Sequence, residues 1–269
     1  MDTFGIAGWL YHQPILHQKT MTQLELPAAT KALGLGVVEL CSAFFPSQSA
    51  AYLNELRQAI RAAGVSVRNI AVDMGDISAA DPDRRRTDLE ALKQWFHVAR
   101  AVGSEAIRVN SGGSEPTTVE ELGRIVESYQ ELAAEAEHTG VHLLIENHGG
   151  ASFDPGHVQG LLDTVGSTWF RTCPDTGNFV GGTWRDGIRV MAPSAFTCHV
   201  KVTAYDGAGQ QPRTGHNGRD RSADLKEILR TLKQADYRGP LCIEAGIGTD
   251  EAESARGAIR YVRELLEAI

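Results

Sequence analysis

The chain has 269 residues, 42% of them hydrophobic, a length that α/β barrels commonly use as one domain and that can bury a large core. Its 34 acidic residues outnumber 26 basic ones for a formal charge of −8, so no basic surface draws in a phosphate backbone and nucleic acid is excluded as the expected partner. Nowhere do about 18 apolar residues run together, and the opening MDTFGIAGWLYHQP lacks the basic segment and long apolar stretch of a signal peptide; the expectation is a cytoplasmic protein with no membrane partner.

Along the chain, short β-like runs alternate with longer amphipathic ones, the signature of a parallel sheet with crossover helices. Strands are expected at Phe4 to Gly8, Val37 to Leu40, Val65 to Val72, Ala106 to Asn110, His142 to Asn147, Phe170 to Asp175, Phe196 to Val202 and Leu241 to Glu244. Eight such strands predict an α/β fold of the (β/α)₈ TIM barrel type, with residues 1–269 as a single domain. Helices are expected at Ser49 to Ala63, Pro82 to Val102, Thr118 to Thr139, Ala223 to Gln234 and Glu251 to Ala268. Gly64, Gly103 and Gly140 each follow a helical run and precede an apolar strand, the place for a left-handed residue that ends a helix. Cys41, Cys173, Cys198 and Cys242 are far apart, sit in or beside apolar runs and lack CxxC spacing, which predicts reduced, buried thiols without chemistry. Tyr205 to Arg221, rich in Gly, Gln, Arg and Asp, is the longest irregular stretch; it follows the seventh strand at the end where barrel active sites are built.

Four metal-competent side chains fall at the carboxyl ends of the last four strands: Glu146, Asp175, His199 and Glu244. Strand alternation tests whether they share the barrel interior. Arg171, Cys173 and Asp175 lie on one face, as do Cys242 and Glu244; His142, Leu144 and Glu146 oppose the bulky Leu143 and Ile145; Thr197, His199 and Lys201 lie together. Three carboxylates and an imidazole form an oxygen-rich set that suits one divalent ion, Mn²⁺ first and then Mg²⁺, Co²⁺ or Zn²⁺.

The strings IENHGG at 145–150, PDTGNF at 174–179, HVK at 199–201 and GPLCIE at 239–244 resemble the xylose isomerase-like, sugar phosphate isomerase/epimerase superfamily, whose other members include the endonuclease IV group, over nearly the whole chain. The resemblance implies a TIM barrel with a metal on Glu146, Asp175, His199 and Glu244, and an association into dimers or tetramers. Where many ketose epimerases have a His three residues after the sixth-strand Asp, this chain has Asn178. An amide can bond a substrate hydroxyl but cannot act as an imidazole. The endonuclease reading lacks its extra His ligands, because the third and fourth strands end in Asp73 and Asn110.

The expected activity is that of a metal-dependent isomerase or epimerase of a small sugar or keto-sugar, through an enediolate, with Glu146 and Glu244 as candidate bases on opposite sides of the ligand ring. His148, two residues beyond Glu146, is a candidate acid or base. Candidate substrate-binding residues are Lys201, Asn178, Arg219, His12, Trp9 and Asn110, with core packing or solvent exposure as the alternative for each. Two other functions use the same sequence features. One is a lyase or dehydratase, of the inosose or dehydroshikimate dehydratase kind or one that cleaves 3-oxo-glycosides. The other is a non-catalytic binding or scaffold protein on the same barrel. No phosphate-binding GxxxxGK or strand-linked GxGxxG occurs, so nucleotide cofactors are not expected.

Overall fold

Three of the long helices are bounded by side chains and glycines that their sequence supplies. Ser49 accepts a hydrogen bond from the Tyr52 backbone at the start of α2 (Ala50–Ala63), and Asp81 from Asp83 and Arg84 at the start of α3 (Pro82–Val102), while Thr118 and Glu121 cap each other's backbone at α4 (Val119–Thr139). These bonds satisfy donors that a helix start leaves open. Gly64, Gly103 and Gly140 end the three helices in the left-handed region, with φ of 65°, 82° and 69°, a conformation that costs glycine nothing. The computed structural model describes residues 1, 3–202, 210–211, 223–246 and 248–269.

Eight parallel strands form the barrel: β1 (Phe4–Ala7), β2 (Val37–Cys41), β3 (Ser66–Val72), β4 (Ala106–Val109), β5 (His142–Glu146), β6 (Phe170–Cys173), β7 (Cys198–Lys201) and β8 (Leu241–Ala245). The order runs from β6 through β5, β4, β3, β2 and β1 to β8 and β7. Isolated parallel bridges Thr172↔Ala195 and Asp175↔His199 bring the chain around β7 back against β6 and close the ring. Gly5 has no room for a side chain, since a Cβ there would stand 2.9 Å from Cys242 Sγ and 3.0 Å from the Val37 carbonyl. Helices α1 (Leu26–Ala32), α5 (Pro155–Val165), α6 (Trp184–Met191), α7 (Leu225–Gln234) and α8 (Glu251–Glu267) complete the alternation.

The main core lies between the strands and this helical layer, and a small separate cluster of Ala106, Leu144, Cys173 and Phe196 fills the barrel interior. All four cysteines are buried and free, as expected. Among the described residues, no helix is long and apolar enough to cross a membrane.

Several sequence-based boundaries are corrected. Strand β6 stops at Cys173 and β7 starts at Cys198, because Asp175 and Ala195 are held only by single bridges. The helix expected from Ala223 begins at Leu225, since Ala223–Asp224 pairs antiparallel with Gln210–Gln211 and Asp224 is the N-cap. Helices α1, α5 and α6 were not anticipated. They are short, and Gly156 and Gly160 in α5 and Gly187 in α6 are residues of low helix propensity that tertiary packing overrides. Apart from Gln210–Gln211, the irregular stretch 205–221, with Arg219 and Asp220, lies outside the described residues.

Candidate metal centre and active site

The strand parity that points small residues into the barrel also points four ligating groups toward one another at its carboxyl rim. One atom from each of Glu146, Asp175, His199 and Glu244 lies within 4.8 Å of the other three. His199 Nδ1 stands 3.1 Å from Glu244 Oε2, 3.4 Å from Glu146 Oε1 and 4.0 Å from Asp175 Oδ2. All four side chains are buried or nearly so, yet His199 Nδ1, Glu146 Oε2, Asp175 Oδ2 and Glu244 Oε2 lack a partner in hydrogen-bond geometry. Buried polar atoms in native proteins are nearly always bonded. Three carboxylates converging on an imidazole nitrogen with such atoms is a donor set that fits a divalent cation.

Glu39, at the end of β2, selects which His199 nitrogen faces that ring. Its Oε2 accepts from His199 Nε2 at 2.7 Å and from Asn69 Nδ2 at 3.1 Å, and its Oε1 accepts from the Thr197 hydroxyl. With Nε2 carrying the proton, Nδ1 presents its lone pair to the carboxylates, the usual arrangement behind a metal-binding imidazole. Burial works against the charge on Glu39, but the His199 contact prevails and holds the carboxyl below its ordinary range.

Charge is unevenly compensated around the ring. Burial, together with Glu244 and Glu146, pushes the Asp175 carboxyl up to about 7 although Lys201 opposes it. Burial also disfavours charge on Glu146, but Arg108 and His199 overcome this and hold its carboxyl low. Arg108 Nε lies 2.9 Å from Glu146 Oε2, and its Nη1 donates to Asp73 and to Asn110 Oδ1. Lys201 Nζ lies 2.7 Å from Asp175 Oδ2 and 3.5 Å from Glu244 Oε1, and donates to Asn178 Oδ1 at 2.9 Å. Asn178 in turn donates to Glu146 Oε1 at 3.1 Å, so its amide links a carboxylate of the ring to the ammonium. Cys173 also approaches Glu146 and His199, but burial raises its thiol to about 12, and a neutral thiol is a poor ligand.

Above the ring opens a cavity of about 380 Å³ lined by Trp9, Asp73, Asn110, His148, Lys201 and Glu244, among others. Of the residues expected to meet substrate, Trp9, Asn110 and Lys201 line it. His12 stacks on Trp9 with ring centroids 5.0 Å apart, outside the lining, and Asn178 is buried against Glu146 and Lys201. His148 is exposed on the wall. Glu146 raises its pKa, but partial loss of water and the Arg108 charge outweigh that and leave it below the ordinary imidazole value. Sequence reasoning passed over Arg108, Asp73 and the role of Glu39. The available signal was a charged residue with inward parity inside an apolar strand, seen at Glu39 in VVELC and at Arg108 in AIRV.

The chain superposes on L-ribulose 3-epimerase with a TM-score of 0.77 at 19% identity, covering 100% of this chain and 95% of the other. A xylose isomerase-like TIM barrel protein from Mycobacterium smegmatis, in complex with magnesium, gives 0.73 at 15% identity over 100% and 98%. The 3-keto-D-glucoside 4-epimerase from E. coli gives 0.67 at 16% over 91% and 94%. At these identities the likeness establishes the fold. No curated protein matches the sequence. Residues 27–265 match the family described as xylose isomerase-like TIM barrel, and this chain belongs to that family.

Proposed function

We propose that the protein is a divalent-metal-dependent isomerase or epimerase of a small sugar or keto-sugar. The observation that carries this reading is the convergence of Glu146, Asp175, His199 and Glu244 beneath a cavity of about 380 Å³, within the size range of small-molecule sites. The names of the relatives, L-ribulose 3-epimerase and 3-keto-D-glucoside 4-epimerase, support a carbohydrate substrate.

Those four side chains would hold the ion, with Mn²⁺ the first choice. Once bound, the ion supplies positive charge to the oxygens of a hydroxy carbonyl compound. The carboxylates then move the proton. Glu244 reaches the cavity wall and takes the proton from the carbon beside the carbonyl. Glu146, held by Arg108 and Asn178, serves the other face of that carbon, which is what an epimerisation requires. His148 exchanges a proton with a substrate oxygen. Asp73 and Asn110 bind hydroxyl groups, and the half-open face of Trp9 covers the apolar side of the sugar. Lys201 and Asn178 keep the acid ring oriented. The same reading makes residues 1–269 one domain of a cytoplasmic homo-oligomer.

The test is mass spectrometry of ketoses, keto-cyclitols and 3-oxo-glycosides incubated in D₂O with Mn²⁺-loaded protein, beside Glu146→Gln. Deuterium gain without change of skeleton, lost in the variant, is the expected result. Loss of water or of an aglycone would assign the site to a lyase. Neither change in any compound, with metal bound, would sink both readings.

A further inference from the structure

The ladder between β5 and β6 ends short of the metal centre. Its last paired residues are Glu146 and Cys173, whereas Asp175 lies two residues farther along and is fully buried. A buried peptide group needs hydrogen-bond partners, and on this side β5 has already ended at Glu146.

The side chain of Asn147 supplies both partners. Its Oδ1 accepts from the Asp175 backbone N–H at 2.8 Å, and its Nδ2 donates to the Asp175 carbonyl at 3.0 Å. Exchange of both bonds with one residue is what a paired strand residue would provide, so an amide continues the sheet where the β5 backbone does not. On the opposite side, the His199 N–H donates to the Pro174 carbonyl and the Thr176 N–H donates to the His199 carbonyl, each at 3.0 Å. The Asp175 backbone is therefore held between the residue that follows Glu146 and His199. Asn147 itself is 1% exposed and is not among the groups that line the cavity.

We propose that Asn147 is a positioning residue for the ion, clamping the backbone of Asp175 so that its carboxylate stays at ligand distance from that of Glu146. This inference rests on the metal reading above. Like charges brought together repel, and Lys201 and Arg108 offset only part of the crowding at these two carboxylates. Without the clamp, Asp175 is free to retreat from Glu146, and the ion has to draw the two together again at the expense of affinity.

Competitive chelator titration of the full-length protein with Mn²⁺ tests this role. Asn147→Ala should raise the dissociation constant about 10–100-fold, the usual effect of removing a group that orients a ligand. Because an ion that binds the folded state stabilises it by mass action, the rise in denaturant midpoint at a fixed Mn²⁺ concentration should shrink in the variant. Ser128→Ala removes a buried bond from α4 to the Ile77 carbonyl; it should lower the midpoint and leave the dissociation constant unchanged. Asn147→Ser, whose short hydroxyl cannot meet both backbone groups, decides the matter if the Ala variant does not fold. An unchanged dissociation constant in the Asn147 variants, or an equal loss in Ser128→Ala, would overturn the proposal while the metal reading stands. No uptake of Mn²⁺ by the unaltered protein would sink the metal reading, and this inference with it.

Discussion

The two ends of this barrel both carry charge, and they treat it in opposite ways. At the amino-terminal end, Arg68 donates twice to the Phe196 carbonyl, at 2.8 and 3.3 Å, and its guanidinium carbon lies 3.5 Å from the Phe196 ring centroid. Arg171 donates to the carbonyls of Ser194 and Ala195 at 2.8 and 3.2 Å. These cations are bonded to backbone and stacked on an aromatic face, an arrangement that closes the barrel floor. At the carboxyl end, three carboxylates and His199 crowd together, with one atom of each within 4.8 Å of the others, and Arg108 and Lys201 offset only part of the negative charge. Charge tied to backbone carbonyls and an aromatic face marks structure, whereas like charges crowded around one point mark a place built for something else.

Mutations at the two ends should therefore separate activity from stability. Replacing Glu146 with Gln should lower turnover by about 10²–10⁴, the worth of a positioned base, measured as initial rates of solvent deuterium incorporation. A loss under tenfold would remove Glu146 from proton transfer. At the other end, Phe196→Ala should destabilise the fold by about 3–5 kcal/mol, read from denaturant unfolding. The surviving folded fraction should keep its kcat/KM; a matching loss of kcat/KM would mean that the floor and the site are not independent.

A smaller effect is expected behind the ring. Glu39→Gln keeps the size of the side chain but loses the charge that fixes the His199 tautomer, and should weaken metal binding by about 10–100-fold in a competitive chelator titration. Unchanged affinity would show that Glu39 serves only packing.

In the helical layer, outside the acid ring, Thr118→Ala should cost about 1 kcal/mol through loss of the α4 cap, by thermal unfolding, with activity intact. Its partner Glu121 has a carboxyl lowered to about 2 by bonds from Thr118 and Ser114. A carboxyl depressed on folding stabilises fully above its unfolded pKa and loses that contribution as pH falls through the folded value. Glu121→Gln should accordingly flatten the acid limb of the stability curve between about pH 4.5 and 2. An unchanged limb would assign the acid sensitivity to other carboxyls.

Much of the fold was legible in sequence because local rules govern it. Helix α3 runs Pro82–Val102 as its pattern predicts, since Asp81 and Gly103 bound it from inside the segment. The short helices α1, α5 and α6 escaped because they span only two or three turns, and Gly further weakens the local signal of α5 and α6. The inward parity of Glu146, Asp175, His199 and Glu244 could be read from two-residue alternation within each strand, and the structure brings those four together.

What surrounds them could not be read that way. Glu39 meets His199 across 160 residues of chain, and Arg108 reaches Glu146 and Asp73 on two neighbouring strands. Alternation says which side of a strand a group occupies, a property of one backbone. It does not say which inward groups stand at the same height around a closed ring, because that depends on strand tilt and register. The amino-acid sequence by itself determined the alternating elements, their caps and the inward direction of the acids. Only closure of the barrel decided that Glu39 would orient the imidazole and that Arg108 and Lys201 would divide the acid ring between them.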